Sequence, residues 1–495
     1  MTKRKKLNSG VLIIFFGMTS LFSLIYILMD TNKPSYYSYL WILPLAYLIV
    51  TLIFLSRWSA TYLKTITGTI IIIIYYIRLV VTPFIMALGQ YSSIIDEEVY
   101  RSRANSAIVL MAYEVFLVFL FLTSFIQKMN RIYGKTNIKN DDLLLEYKNR
   151  PSRALWVIVG LMVLFIVYLI QSDPTIWKAN FLLLIDVNQT YYAFSNADTG
   201  IGTLSMYVEL MNSVFKLIQV ILPPMLLYIV ARRNIDRRVK YFIAFILFSF
   251  VVVIATEDRI DAIFAGIALL FTIRDVFGTK FRHKFSILLV IIGATALFGL
   301  AIKSGVASNE GNGSGLKGLS SMFVAYFSGI PTVAVGMNMA DALPGLNFLH
   351  VFPDAVSKIP YFTYIISMFT GVNIVNSNQL MNNYIHEVLG RGYAQIMPSI
   401  ALGYEYVGFF FAPVLVIIFI KLALYFERQI KVQKNIVRRN LYYWITICVA
   451  SSPVISSVLL ITAKISWFMI AMILLVFLQR QRENADLRKN NYLTE

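Results

Sequence analysis

The predicted fold class is an all-α polytopic membrane protein of about twelve transmembrane helices, with one large external loop containing amphipathic helices. Three observations predict it. Hydrophobic residues make up 58% of the 495 and charged residues only 14%. Mean hydropathy is +0.69. The apolar residues gather into about twelve runs of roughly twenty, the length an α-helix needs to cross ~30 Å of hydrocarbon.

Taken in order, the runs are residues 11–29, 37–55, 66–88, 107–126, 154–170, 205–230, 241–255, 260–273, 285–302, 399–425, 441–458 and 460–478. The seventh and eighth are short and separated only by Thr256-Glu257-Asp258-Arg259. They are two spans, because the combined stretch is too long for one crossing and carries charges at its middle. The chain therefore divides into spans one to nine over 1–302, a large external loop over 303–397, spans ten to twelve over 398–480, and a tail over 481–495.

Charge sets the orientation. With the N-terminus inside, the expected cytoplasmic segments hold 31 of the 44 lysines and arginines. That is the bias of the positive-inside rule, and an even number of spans returns the C-terminus to the cytoplasm. The start Met1-Thr2-Lys3-Arg4-Lys5-Lys6 reads as a cytoplasmic anchor. The net charge of +18 is thus a topology signal in a multi-pass protein of the cell (cytoplasmic) membrane, and no nucleic-acid partner is expected. The one cysteine, Cys448, rules out an internal disulfide.

The stretch 303–397 stands out in so apolar a chain. It opens on the glycine-rich 309–318, which reads as a flexible hinge, and it holds two of the three histidines, His350 and His386. Residues 376–388 read as an amphipathic helix, with Leu380, Met381, Tyr384, Ile385 and Val388 at helical spacing. His386 and Glu387 lie near its end, and Arg391 follows between two glycines. An imidazole titrates near neutral pH and can take a proton from an attacking hydroxyl. His386 is therefore the candidate catalytic base, with Glu387 its competitor. His350 reads as an ordinary loop histidine.

Four arginines on the outer face are candidates for binding pyrophosphate. Arg259 closes the Thr-Glu-Asp-Arg turn at the start of the eighth helix, where unpaired amides favour an anion. Arg391 sits in the Gly390-Arg391-Gly392 turn, and Arg101 and Arg103 follow Asp96-Glu97-Glu98. A guanidinium matches phosphate oxygens bidentately. Within the spans, Arg78, Glu114, Glu209, Lys216 and Lys464 are charges that must pair or face a polar cavity.

Two stretches carry a family resemblance. Thr256-Glu257-Asp258-Arg259 followed by the apolar 260–270 resembles the outer-face arginine motif of the Wzy polymerase and O-antigen ligase superfamily. Gly390-Arg391-Gly392 through Pro398-Ser399 and Gly403-Tyr404-Glu405-Tyr406-Val407-Gly408-Phe409 resembles the Wzy segment that ends the large external loop. The acidic residue expected just after Pro398-Ser399 is displaced to Glu405, so the resemblance assigns Glu405 no catalytic role.

The resemblance implies a polymerase that joins oligosaccharide repeat units of O-antigen or capsule, carried on undecaprenyl pyrophosphate, at the outer face of the cytoplasmic membrane. It implies the lipid-linked oligosaccharide and membrane lipids as partners, alongside flippase and chain-length regulator proteins. Arginines would stabilise the diphosphate leaving group. No cluster with metal-ligand spacing is seen outside, so the expected glycosyltransferase is metal-independent and has no cofactor. Two alternatives stay open. A repeat-unit flippase or secondary transporter would show internal repeats and short outer loops, and a ligase would use the same chemistry on another acceptor.

The charge bias yields a direct test of topology. Reporters inserted after Gly311 and after Lys434 should report the outer face and the cytoplasm respectively; a cytoplasmic signal at Gly311 would exclude an external site in 303–397.

Overall fold

The computed structural model describes residues 3–93, 95–133, 153–172, 203–233, 235–253, 259–277, 315–343, 347–357, 359, 362–370, 374–389, 396–433, 435–455 and 458–491. Among them every regular element is helical and there is no strand. Four helices are long and apolar enough to cross a membrane, or up to six if each of two bent pairs is one span. The four are Gly10–Met29, Ser35–Ser59, Ile66–Leu88 and Ala104–Lys128, which coincide with the first four runs of the sequence. Helices Arg153–Ser172, Thr203–Arg232, Arg237–Val253 and Arg259–Phe277 fall on the fifth to eighth runs, and Ile436–Ala450 and Val458–Asn491 on the last two. The run 285–302 lies outside the described residues.

The chain forms two compact units. The first comprises Met1–Thr136, Leu289–Tyr425 and Val449–Lys464, and the second Asn137–Leu288, Phe426–Cys448 and Ile465–Glu495.

In the first unit the third span is not a uniform α-helix. Ile66–Tyr76 passes through one π turn, Ile77–Val81, into Thr82–Leu88. A π turn adds a residue to the turn and marks strain or a functional position. Arg78 sits in it, fully buried. Its Nη1 donates to Glu114 Oε2 of the fourth span at 2.9 Å, and its Nε donates to the Ser328 carbonyl at 3.2 Å. Tyr75, one turn earlier, donates its hydroxyl to the other Glu114 oxygen at 2.7 Å. Two of the charges that the sequence places inside spans are thus a fully buried ion pair. The side chains of Glu209 and Lys216 lie outside the described residues.

Part of the segment 303–397 is apolar enough to count with the spans. Leu316–Tyr326 and Ile330–Ala342 form a bent pair. Together they are long and apolar enough to pass for one span, with Leu, Phe, Ile, Val and Met among their residues. The break falls at Phe327–Gly329, where Ser328 has φ +47° and Pro331 starts the second helix. The pair is a V. One arm meets the end of span three, where Ser320 donates to the Ser92 carbonyl at 2.8 Å. There Gly89 has no room for a side chain, since a Cβ would lie 2.5 Å from that of Ser320. The other arm ends beside the start of span four, where Asn338 donates to the Val99 carbonyl at 2.6 Å. The elbow reaches Arg78, roughly 16 Å down span three from Gly89. Both tips therefore lie at one end of the unit and the elbow lies inside it.

The tenth run is also broken. Ser399–Phe411 and Pro413–Val432 are bent by 114°. Gly408 adopts φ +76°, ψ +179°, a conformation essentially reserved for glycine. The reversal lays the Ala412 carbonyl on Gly403, where an added Cβ would sit 2.1 Å from it.

In the second unit, Thr203–Arg232 contains Pro223 and Pro224. Pro224 has no N–H for the Val220 carbonyl one turn earlier. Asn440 supplies the missing donor at 2.9 Å, and its own carbonyl accepts from Thr272 at 2.8 Å. Nearby, Asp275 is shared by Arg439 at 2.9 Å and the Tyr443 hydroxyl at 2.6 Å.

Removing one member of a buried ion pair costs about 3–5 kcal/mol, whereas replacing both with apolar groups is often neutral. Arg78→Met and Glu114→Leu should each lower the melting temperature of the detergent-purified protein substantially. The double variant should recover most of the loss. Equal melting for both single variants and the wild type would show that the pair does not hold the spans.

Candidate active site

The polar cluster of the first unit is built from three short segments of 347–398 laid against Ser399–Phe411. Glu405 projects from that helix and is buried. It is the one acidic residue in the apolar run 399–425. Its Oε1 is shared between His350 Nδ1 at 2.6 Å and the Ser377 hydroxyl at 3.1 Å. Its Oε2 is buried with no hydrogen-bond partner.

Each partner is held by its own local structure. His350 ends the 3-10 turn Asn347–His350 and leads into Val351–Val356. Asp354, on that following helix, is almost wholly buried. Its Oδ1 accepts from the Ser377 backbone N–H at 2.7 Å, and its Oδ2 accepts from the Tyr406 hydroxyl. Ser377 opens the helix Ser377–Leu389. Asp354 thus anchors the start of that helix, and Ser377 passes the connection on to Glu405. The charge of Asp354 also acts directly on Glu405.

A carboxylate on Nδ1 fixes an imidazole's tautomer and orientation and leaves Nε2 as the reactive nitrogen, as in hydrolase triads. Here the His350 side chain is 28% exposed and the Glu405 side chain wholly buried. The arrangement can hold an imidazole ready to accept a proton from a ligand hydroxyl. The unpartnered Glu405 Oε2 adds an acceptor from inside. No group of three or more His, Cys, Asp or Glu able to hold a metal occurs among the described residues.

No family model, curated protein or solved structure matches this chain.

Of the residues selected from the sequence, those that are described make none of this cluster's hydrogen bonds. The amphipathic helix forms over Ser377–Leu389, burying Ser377, Met381 and Ile385. His386 and Glu387 are exposed, and His386 lies about 13 Å along the helix axis from Ser377. Arg391 lies outside the described residues. Arg259 begins the helix Arg259–Phe277 of the second unit, and its side chain lies outside the described residues. Arg101 is exposed. Arg103 is not free, because its Nη2 pairs with Asp341 Oδ2 at 2.5 Å.

Sequence reading passed over His350 and Glu405, whose separation of 55 residues leaves no local pattern. One signal was available. A lone carboxylate in an apolar run is costly and marks a functional position by default.

Asp354 supports two donors at the start of a helix, and leaving buried donors unpaired costs about 1–3 kcal/mol. Asp354→Leu should therefore speed amide hydrogen exchange across 377–389 by about tenfold to a hundredfold, with Asp354→Asn intermediate. Unchanged exchange in Asp354→Leu would remove the anchoring role.

Proposed function

We propose that this chain is a glycosyltransferase of the Wzy polymerase type, joining undecaprenyl-pyrophosphate-linked oligosaccharide repeat units into surface polysaccharide at the outer face of the cytoplasmic membrane. The observation that carries the reading is the His350–Glu405 pair, an oriented imidazole with a free nitrogen in a segment that the charge bias places outside. The topology proposed is twelve spans with both termini in the cytoplasm. In that topology Leu316–Ala342 is a re-entrant element on the outer side and adds no span.

The reaction needs three things from the protein. An acceptor sugar hydroxyl attacks the anomeric carbon of the donor, forming the new glycosidic C–O bond. The bond from that carbon to the pyrophosphate oxygen breaks, and the lipid diphosphate leaves with the electron pair. The hydroxyl proton passes to His350 Nε2, and Glu405 stabilises the imidazolium that forms. Arg101 and Arg391 are assigned to the diphosphate, where guanidinium groups stabilise the growing negative charge. This assignment moves the base from His386 and Glu387, both exposed, to His350, whose ring is oriented by a buried carboxylate.

The test is chain extension by the purified protein in detergent, supplied with lipid-linked repeat units and read as a ladder of products. His350→Ala should slow extension by roughly 10²–10⁴-fold, and His386→Ala should leave the ladder intact. Normal ladders from His350→Ala would remove the dyad from the chemistry, and no ladder from the wild type would remove the polymerase reading.

A further inference from the structure

A second polar cluster lies beside the dyad, and nothing in the proposed chemistry uses it. Asp341 is near the end of the second arm of the V. Its Oδ2 holds Arg103 Nη2 at 2.5 Å, and its Oδ1 accepts from the Tyr404 hydroxyl at 2.8 Å. Tyr384 is the fourth member. It lies on the helix Ser377–Leu389, and burial and then the Asp341 carboxylate push its phenol above the usual tyrosine range. Arg103 and Asp341 are 41% and 35% exposed, and both tyrosines are half-buried.

The backbone around the cluster is held firmly. Asn338, one turn before Asp341, donates to the Val99 carbonyl and accepts from Ser102 at 3.0 Å. This pins the arm to the link that carries Arg103. Gly336 lies against Ala401, where an added Cβ would approach to 2.8 Å, so the arm also packs closely on the helix that carries Tyr404. The cluster is tied to the dyad through two elements. Tyr404 precedes Glu405 in the chain. Tyr384 follows Ser377 by two helical turns on the same face, about 10 Å along the axis.

Charge decides what such a site would take. Arg103 is neutralised by Asp341, so the pair offers an anion little net attraction, unlike the exposed Arg101 nearby. What remains is a neutral array of unused donors and acceptors. The guanidinium has four further N–H groups, and each carboxylate oxygen has a spare lone pair. Two tyrosines add flat apolar faces ending in hydroxyls. Vicinal hydroxyls above a C–H face, the surface of a sugar ring, match that array. An exposed ion pair is worth only ~0–1 kcal/mol to folding, so stability alone gives weak reason for Arg103, Asp341 and Tyr404 to converge from three segments.

We propose that Arg103, Asp341 and Tyr404, with Tyr384 on the neighbouring helix, form a subsite for an uncharged sugar unit of the lipid-linked oligosaccharide. The subsite rests on the glycan-transfer reading. With Tyr404 next to Glu405 in the chain, an oligosaccharide with one end at His350 would present a later sugar to Asp341.

The test compares two ligands on the full-length protein in nanodiscs: the lipid-linked repeat unit purified from the source cells, and sugar-free undecaprenyl pyrophosphate. Wild type should bind the glycan-bearing lipid more tightly. Asp341→Asn and Tyr404→Phe should each weaken that binding about tenfold and leave the sugar-free lipid unaffected. Tyr404→Phe removes a single hydroxyl and serves if the Asp341 variant does not fold. The exchange Arg103→Asp with Asp341→Arg rebuilds an ion pair with its array reversed, and it should not restore glycan binding. Full preference for the glycan-bearing lipid in the single variants, or its recovery in the exchange, would overturn the subsite and leave the transferase reading standing. Equal binding of both lipids by the wild type would overturn the glycan reading and the subsite with it.

Discussion

Arg78 and Glu114 meet in the interior of the first unit, where neither reaches solvent. Each charge alone would be expelled from such a place; together, with Tyr75 and the Ser328 carbonyl, they are tolerated. The consequence is geometric. Three elements must be present at once for the guanidinium to be partnered: span three, span four and the elbow of the V. Arg78 Nη2 still lacks a partner, so little in this arrangement can be given up without leaving more of the charge unpaired. The π turn that carries Arg78 is the local distortion that accompanies this placement.

From the elbow the constraint passes outward. With Ser328 held by Arg78, and its hydroxyl by the Val454 carbonyl, the second arm rises along span four and along Ser399–Phe411. Small residues set the closeness of that contact: Gly336 on Ala401, and Gly403 under the reversed Ala412 carbonyl. The reversal at Gly408 turns the helix back so that one side carries Tyr404 and Glu405 into the unit while Phe410 and Phe411 remain exposed. Tyr113 of span four donates to the Phe410 carbonyl at 3.2 Å, closing a backbone group left open by the kink. The dyad and the Asp341 cluster are therefore placed by the same few contacts.

The two histidines of the polar segment show how such placement sorts similar residues. On paper His386 is the better base, flanked by an acid and an arginine and carried on an amphipathic helix. In the fold the helix turns Met381 and Ile385 inward and leaves His386 and Glu387 exposed. His350 looks ordinary in its own stretch of chain but receives a carboxylate from a residue 55 positions away. Arg103 shows the converse, since Asp341 takes up the charge that made it attractive for a phosphate.

The sequence by itself determined the helical character, the positions of the first four membrane-length helices, an amphipathic helix over 376–388 and the need for charges within spans to pair or face a polar cavity. These follow from local quantities, namely apolar run length, helical periodicity and the cost of an isolated charge in an apolar place. Only the tertiary structure decided that Leu316–Ala342 folds inward as a V. Its apolar run is interrupted at Ser328, whose left-handed backbone makes a turn that a hydropathy count does not register. Only the tertiary structure brought His350, Asp354 and Ser377 to Glu405, because hydrogen bonds across long loops depend on where the helices beneath them pack, and no spacing along the chain encodes that.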